Sequence, residues 1–316
     1  SPFSAANITA YKQIKKIIDE GNFDIIHCHT PMGGMLARLA ASKKRRNGTS
    51  VLYTAHGFHF YKGAPALNWL IYYPMEWVMS QKTDCLITIN AEDYKFAKKH
   101  FKHPRVEMVD GVGYNDDLFF EISPEEKKLL RKQKGYGNDE TLLIYVAELN
   151  ANKNQSMLLN AVKKLCDDKY NVRLLLAGKD NFDGKNQALA RKLGIESRVD
   201  FLGHREDVEQ LLKMSDICLA SSLREGLPVN VMEAMACGLP TIAADNRGHR
   251  ALIKNGEDGF IVKPNDYQKM AGITERLIDD KKLFKEISQS AARDIKRFSK
   301  ESIVVQMSKI YKMYQG

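Results

Sequence analysis

Short apolar runs and amphipathic stretches alternate along most of the chain. The apolar runs are four to six residues long, and they lie at 24–29, 50–54, 84–89, 106–109, 141–146, 172–177, 216–220 and 240–243. Helical patterns separate most of these runs, for example at 10–20, 92–100, 155–169 and 208–214. Short apolar runs are typical of buried strands. Their alternation with helices predicts an α/β protein with parallel sheets that are covered on both faces.

The predicted strands fall into two sets, separated by a segment at about 117–138. Within it, Ser123 predicts a helix N-cap and Glu126 its capping-box partner, with a proline between them at the first helical position. A length of 316 residues favours two domains. We therefore expect two Rossmann-like domains, over 1–116 and 117–298, joined by a linker helix.

The first predicted domain departs from the usual Rossmann pattern at its start. A domain of this type normally opens with a strand and a glycine-rich turn, whereas this sequence begins with Ser-Pro-Phe-Ser and a helical pattern. No GxGxxG motif occurs in the sequence. We therefore expect the first domain to lack its opening strand and turn.

Charge and cysteine content indicate what kind of partner the protein binds and in which compartment it works. Lys plus Arg number 48 and Asp plus Glu 39, and the net charge of +9 favours an anionic partner such as nucleic acid, a membrane surface or a phosphorylated substrate. The five cysteines are odd in number and include no CxxC pair. This pattern argues against a disulfide framework or a zinc site and favours a reducing, cytoplasmic compartment. No apolar run reaches the ~20 residues that cross a bilayer.

The strongest chemical signal lies at 222–240. Glu225 precedes Gly226, which permits a tight turn, and Pro228 suits the first turn of the helix that follows. Because this helix comes directly after a predicted strand, its free amides form an anion site suited to a diphosphate. Glu233, about one turn into the helix, is placed to accept hydrogen bonds from two ribose hydroxyls. The alternative, two glutamates that only complement the helix dipole, is disfavoured by the glycine and proline between them.

Several segments together resemble one enzyme family. Glu225 and Glu233 bracket seven residues, which resembles the glutamate signature of family 4 retaining glycosyltransferases with the GT-B fold. The strand and loop at 145–154, the Leu-Gly-His turn at 202–204 and the histidine motif at 53–59 are similar to further motifs of that family. Through IIHCHTPMGG and TAHGFHFYKG, the chain looks most like bacterial capsule and exopolysaccharide biosynthesis enzymes.

The resemblance implies a role for each motif. It implies a cleft between an acceptor-side first domain and a nucleotide-sugar-binding second domain, with the last helix, 299–316, packed back on the first. His56 and Glu225 are the implied catalytic residues, His56 at the reaction centre and Glu225 on hydroxyls of the donor sugar. The donor-binding residues that we expect are Lys153, Gly203, His204, Gly226, Leu227, Val229, Glu233 and Arg247.

One position departs from the family pattern. Glu148 stands where the family usually carries an arginine, so one positive charge on the donor phosphates is lost. Arg247 and Arg250 are the candidates that compensate for it. The alternative for both is an exposed cation on a loop.

The activity that the resemblance implies is transfer of a sugar, with retention of configuration. The donor is a nucleotide sugar, with a UDP-sugar favoured, and the acceptor is lipid-linked or a saccharide, in surface polysaccharide assembly. We expect no cofactor. Two alternatives stay open: a GT-B epimerase or hydrolase that acts on the donor alone, and a nucleotide-sugar-binding fragment that is inactive in transfer.

We expect the enzyme to work without a metal ion. The Asp-x-Asp triad that holds a divalent ion on the diphosphate in other sugar transferases is absent from the sequence, so helix amides and Lys153 would replace its charge. His27 and His29 alternate on one face of a predicted strand, a spacing that allows a metal pair. No third ligand lies at a recognisable spacing, and we therefore predict no metal site.

A basic run suggests where the enzyme works. Residues 43–46 are Lys-Lys-Arg-Arg, and four aromatic residues follow in the next helical pattern, Trp69, Tyr72, Tyr73 and Trp77. Together they predict a patch that faces an anionic membrane, with a solvated charge run as the alternative. Nucleic acid is disfavoured, because no recognition motif accompanies the charge. We expect a cytoplasmic protein that is peripheral on the inner face of the membrane.

Overall fold

The structure, a computed structural model, describes residues 5–61 and 63–315. The chain divides into two units. Unit 1 holds the residues up to Val112 together with those from Glu301 onward, and unit 2 holds Gly113–Lys300. The division therefore lies four residues before the boundary expected at 116/117.

Unit 1 is built on a four-stranded parallel sheet in the order β1-β2-β3-β4. Its strands are β1 Ile25–His29, β2 Ser50–Ala55, β3 Cys85–Thr88 and β4 Arg105–Met108. Its helices, in chain order, are α1 Ala6–Glu20, α2 Pro31–Ala40, α3 Ser42–Arg46, α4 Ala66–Ser80 and α5 Ala91–His100. The central strands β2 and β3 are almost wholly buried, as expected for a parallel sheet covered on both faces.

Unit 2 contains a six-stranded parallel sheet in the order β10-β9-β8-β5-β6-β7. Its strands are β5 Thr141–Val146, β6 Val172–Ala177, β7 Val199–Gly203, β8 Ile217–Ala220, β9 Thr241–Ala244 and β10 Phe260–Val262. Its helices are α6 Pro124–Lys134, α7 Gln155–Asp167, α8 Lys185–Lys192, α9 Val208–Met214, α10 Val229–Ala236, α11 Arg247–Leu252, α12 Tyr267–Asp279 and α13 Lys281–Asp294. Two 3₁₀ turns, Glu196–Arg198 and Ile295–Phe298, complete this unit.

The last helix, α14, spans Lys300–Lys312, and all but its first residue belongs to unit 1. Its Tyr311 hydroxyl lies 2.7 Å from His27 Nδ1, and Gln306 bonds the backbone amide of Asp110 at 3.0 Å. No helix of the described residues is both long enough and apolar enough to cross a membrane.

The eight predicted strands are all present, and the α/β class with two Rossmann-like folds is confirmed. The apolar pattern missed β7 and β10. The residues of β7 are partly exposed and end in glycine, and β10 is only three residues long, so neither gives the signal of a buried strand.

The capping box at the start of α6 is confirmed, but its role as a linker is wrong. Ser123 Oγ accepts from the Glu126 amide, and the Glu126 carboxylate accepts from the Ser123 amide. The helix is docked in unit 2 through its basic face: Lys127 Nζ lies 2.8 Å and Arg131 Nη2 2.5 Å from the Asp216 carboxylate. Charge pairing to unit 2 therefore overrides the linker role that the sequence suggested.

The aromatic residues of α4 do not form the outward patch that the sequence predicted. Trp69 and Tyr73 pack inward against Phe96 of α5, with ring centroids 5.7 and 5.8 Å away, and Tyr72 contacts His59. Trp77 alone of the four is exposed. The periodicity of the helix explains the difference, because positions 69, 72 and 73 share the face that packs against the core of unit 1.

One buried ion pair fixes α4 to α2. Arg38 is 1% exposed and Glu76 is 6% exposed, and their side chains meet at 2.5 Å. The Arg38 guanidinium also bonds the Gly34 carbonyl and stacks 3.8 Å over the ring of Tyr53. A buried charge needs such partners, since desolvation of an unpaired ion costs more than most single contacts recover.

Replacing Glu76 by Ala should therefore destabilise unit 1 by about 3–5 kcal/mol, because it leaves the Arg38 cation buried without its partner. Both tryptophans of the chain, Trp69 and Trp77, lie in α4, so denaturant unfolding followed by tryptophan fluorescence reports on this unit. Glu20→Gln, at an exposed position of α1, is the control and should leave the midpoint unchanged. Equal midpoints for both variants would contradict a stabilising role for the pair.

Candidate functional site

The predicted donor-binding residues of unit 2 lie mainly on loops that leave one edge of its sheet. The strands β5, β8 and β9 are neighbours and parallel, so the loops after them meet at their common carboxyl edge. The β5 loop carries Lys153, the β8 loop carries Glu225 and the β9 loop leads into Arg247. Ligands of open α/β sheets bind at this edge.

Lys153 and Glu225 are joined in an ion pair. Lys153 Nζ lies 2.6 Å from Glu225 Oε1, and both side chains are largely shielded from water. The two loops are also held by their backbones, since the Leu223 amide donates to the Asn152 carbonyl at 2.8 Å and Ser221 Oγ donates to the Lys153 carbonyl at 2.7 Å. Lys153, predicted to bind the diphosphate, and Glu225, predicted to bind the sugar, are thus already joined to each other.

Gly248 allows the start of α11 to lie against Glu225. A Cβ at this position would lie 2.7 Å from Glu225 Cβ and 3.0 Å from its carbonyl carbon, closer than real contacts allow. Only glycine therefore lets the first turn of α11 lie against the backbone of Glu225. Because Gly248 lies against Glu225, its neighbour Arg247, the first residue of α11, is also near Glu225.

The start of α10 presents backbone amides at this edge. Pro228 occupies the N-cap position, and no side chain caps the helix there. Gly226 and Leu227 form the bend before it, and Val229 is its first residue. Asn230 holds the helix against β5, because its side-chain amide donates to the Val146 carbonyl at 2.7 Å. An uncapped helix start with positive partial charge is suited to an anion.

Glu233 is a partly buried carboxyl on α10. It lies in the second turn of α10 and forms no ion pair with another described residue, and burial raises its pKa to about 7. At neutral pH its carboxyl is therefore about half ionised, and a ligand that donates hydrogen bonds to it would favour the ionised form.

The structure places both arginines that could replace the positive charge lost at Glu148. Glu148 is exposed in the loop after β5. Arg250 is exposed and forms an ion pair with Asp245, so its charge is already compensated. Arg247 is at the start of α11, next to the Gly248 that lies against Glu225, and the role of either arginine stays a prediction.

Gly203 and His204 are at the end of β7, two strands away from β5 in the sheet. Both are exposed, and Gly203 takes a positive φ of 65° that suits glycine. The Gly203 carbonyl accepts from the Gly178 amide at 2.7 Å. They share the carboxyl edge of the sheet with Lys153 and Glu225. Among the described residues, no hydrogen bond or ion pair joins them to that pair.

A buried polar layer beneath the site was missed by sequence reasoning. The Tyr145 hydroxyl lies 2.5 Å from Ser222 Oγ, and the side-chain amide of Asn246 donates to the Ser222 carbonyl at 2.8 Å. Asn246 also caps α11, accepting from the His249 amide, and His249 Nδ1 donates to the Ala244 carbonyl. An asparagine between a strand and a helix is an N-cap signal that could have located part of this layer.

In unit 1, three histidines gather at the carboxyl ends of β1 and β2. His29 Nδ1 lies 3.1 Å from His56 Nε2, and the rings of His27 and His29 are 4.3 Å apart on one face, as predicted. His27 Nε2 lies 2.8 Å from Thr54 Oγ1. Burial lowers the pKa of all three rings, that of His27 to about 4, so they are mainly neutral at pH 7.

The described part of the chain holds no group of three or more His, Cys, Asp or Glu side chains arranged to bind a metal. In the histidine cluster the further partners are the hydroxyls of Thr54 and Tyr311. Neutral rings joined by hydrogen bonds fix one another's orientation, and His29 therefore orients His56.

Two family models match the chain. "Glycosyl transferases group 1" matches residues 126–294, and "Glycosyl transferase 4-like" matches residues 1–90. The first match covers more than half of the chain and includes Lys153, Glu225 and Glu233.

Curated relatives match along almost the whole chain. EpsD of Bacillus subtilis (strain 168), named as a glycosyltransferase, is 46% identical over 99% of this chain and 83% of its own length. The UDP-Gal:alpha-D-GlcNAc-diphosphoundecaprenol alpha-1,3-galactosyltransferase of Escherichia coli is 27% identical over 89% of this chain and 75% of its own length.

Solved structures share the fold. Anabaena Alr3699/HepE in complex with UDP and glucose superposes with a TM-score of 0.80 at 21% identity, covering 97% of this chain and 81% of that protein. At this identity the likeness shows the fold, which is the GT-B arrangement of two Rossmann-like domains.

The Lys153–Glu225 pair predicts a coupled effect on stability. Lys153→Met and Glu225→Gln should each destabilise unit 2, because each leaves a partly buried group without its partner, and the double variant should lose about 1–3 kcal/mol less than the sum. Thermal unfolding followed by circular dichroism measures this coupling. The exposed pair Lys163–Asp167 on α7 is the matched control and should show almost none. Additive losses at Lys153 and Glu225 would show that the pair does not hold the loops together.

Proposed function

The chain belongs to the group 1 glycosyl transferases and is a GT-B glycosyltransferase, and we propose that it transfers a sugar from a UDP-sugar to a lipid-linked saccharide. The observation that carries the proposal is the arrangement of Lys153, Glu225, Glu233 and the uncapped start of α10 at one edge of unit 2. Cation, helix amides and carboxylates are what a nucleoside diphosphate sugar requires.

The donor would be held by groups of matched chemistry. The ribose hydroxyls would donate to Glu233, and the diphosphate would accept from Lys153 and from the amides between Gly226 and Val229. Glu225 would accept from hydroxyls of the sugar while keeping Lys153 in place. Arg247 would add positive charge, and Gly203 with His204 would border the base. The binding of UDP by Alr3699/HepE, a protein of the same fold, supports the choice of UDP.

The reaction exchanges one bond at the anomeric carbon. The bond from that carbon to the diphosphate oxygen breaks, and the electron pair leaves with UDP. A hydroxyl oxygen of the acceptor bonds to the same carbon, and its proton passes to the departing diphosphate, directly or through His56. We infer retention of configuration and a transition state in which negative charge grows on the diphosphate. Fixed cations and amides that meet this charge lower the barrier.

His56 is proposed to act at the reacting sugar. Its ring is neutral near pH 7 and held by His29, so it offers a hydrogen bond of fixed direction rather than a charge. A neutral imidazole can accept a proton from a hydroxyl, which suits a group near the reaction centre.

The acceptor is proposed to carry a lipid diphosphate. The E. coli relative is named for transfer to a saccharide on diphosphoundecaprenol, which supports this class of acceptor. We place the enzyme in the assembly of a surface polysaccharide, on the cytoplasmic face of the membrane.

Transfer should persist without divalent ions, because Lys153 and helix amides meet the diphosphate charge. Purified protein, a panel of UDP-sugars and a short-chain lipid diphosphate saccharide should give product in excess EDTA, and Glu225→Gln should lower the rate by about 10²-fold or more. Donor incubated alone controls for an epimerase or a hydrolase. The proposal fails if chelation abolishes turnover and magnesium or manganese restores it, or if the donor is consumed equally fast without acceptor.

A further inference from the structure

The outward face of α4 consists entirely of apolar side chains. The exposed positions recur three and four residues apart, and they are Ala66, Leu67, Leu70, Ile71, Pro74, Trp77 and Val78. Leu70 is 74% exposed and Leu67 63%. The one charged residue of the helix, Glu76, points inward to Arg38. A helix that faces water normally has the opposite arrangement, with its apolar side inward and its charges outward.

Cations lie on both sides of this face. On one side, Arg45 of α3 donates to the Gln81 carbonyl at the end of α4 at 3.0 Å, which places the basic helix α3 beside it. Lys43 and Arg46 of α3 are exposed there. On the other side, α5 packs on α4 through Phe96 and presents three exposed cations, Lys95, Lys98 and Lys99.

The charge of the chain is concentrated in the unit that carries α4. Unit 1 has 17 Lys and Arg against 10 Asp and Glu, so it contributes +7 of the net +9. Two copies of the chain that met through this face would bring like charges together, which disfavours self-association. An anionic lipid surface would instead attract these cations and accept the apolar side chains.

We propose that the outward face of α4 is the surface by which this protein docks on anionic lipid. Leu67, Leu70, Ile71 and Trp77 enter the boundary between headgroups and acyl chains, and the cations of α3 and α5 lie at the headgroups. The helix lies in the plane of the surface and does not cross the bilayer. The inference rests on the proposed function in one respect, because a lipid-linked acceptor is the reason for the enzyme to be at a membrane.

The test is flotation of the full chain with vesicles of phosphatidylglycerol and phosphatidylcholine, compared with phosphatidylcholine alone. Wild-type protein should float with the anionic vesicles and be released as salt is raised. Leu70→Gln with Ile71→Gln should weaken binding at least about tenfold, because two buried apolar side chains are lost. Val304→Gln with Val305→Gln, at exposed apolar positions of α14 in the same unit, is the matched control and should bind like wild type.

Two further readouts make the result specific. Circular dichroism melting of each variant confirms that it is folded, and sedimentation velocity measures association. Equal vesicle binding by both double variants overturns the proposal. So does a wild-type dimer that the α4 variant turns into a monomer without change in lipid binding.

Transfer to a short-chain, water-dispersed acceptor separates this proposal from the proposed function. The α4 variant should keep this activity and lose transfer to the same saccharide on a full-length lipid in vesicles. Absence of transfer in every form, with lipid docking intact, would contradict the proposed function and leave the docking surface standing. Failure of the wild-type protein to float with anionic vesicles, with transfer to the vesicle-bound acceptor intact, would contradict the docking surface and leave the proposed function standing.

Discussion

Parallel strands place every loop that follows a strand at one edge of a sheet, and the rest of this molecule depends on that constraint. In unit 2 it brings the loops after β5, β8 and β9 together, and with them Lys153, Glu225 and the start of α11. In unit 1 it brings His29 from β1 beside His56 after β2. Lys153 and Glu225, 72 positions apart in sequence, thereby become neighbours.

The site is held by interactions between its own functional groups. The Lys153–Glu225 pair, the approach of Gly248 to Glu225 and the hydrogen bond from Asn230 to β5 fix three loops relative to one another before a ligand arrives. A preformed site loses less ordering entropy on binding, and fixed charges of this kind are what the proposed transfer would require at the leaving diphosphate. The polar layer around Ser222 supports this arrangement from below.

Local chemistry explains what the sequence could predict. The β-branched runs gave eight strands, and Ser123 with Glu126 gave a helix start, because these signals depend on neighbours along the chain. The weakly apolar β7 and the docking of α6 through Asp216 depend on distant partners and were not predictable. The pairing of Lys153 with Glu225 also depends on residues far apart in sequence, so it was not predictable either. For α4, the sequence predicted an outward patch of four aromatic residues, and only the packing shows that Trp69 and Tyr73 turn inward.

Glu233 gives the most direct test of the central claim that this edge of unit 2 binds a nucleotide sugar. Burial raises its pKa to about 7, and ribose hydroxyls that donate to the carboxylate should lower it, so binding at pH 7 should release up to about half a proton. Calorimetric titration of a UDP-sugar in buffers of different ionisation enthalpy measures both affinity and proton release. We predict release by wild-type protein, and at least about tenfold weaker binding without release by Glu233→Gln. Equal affinity and equal proton release for the two proteins would contradict the account.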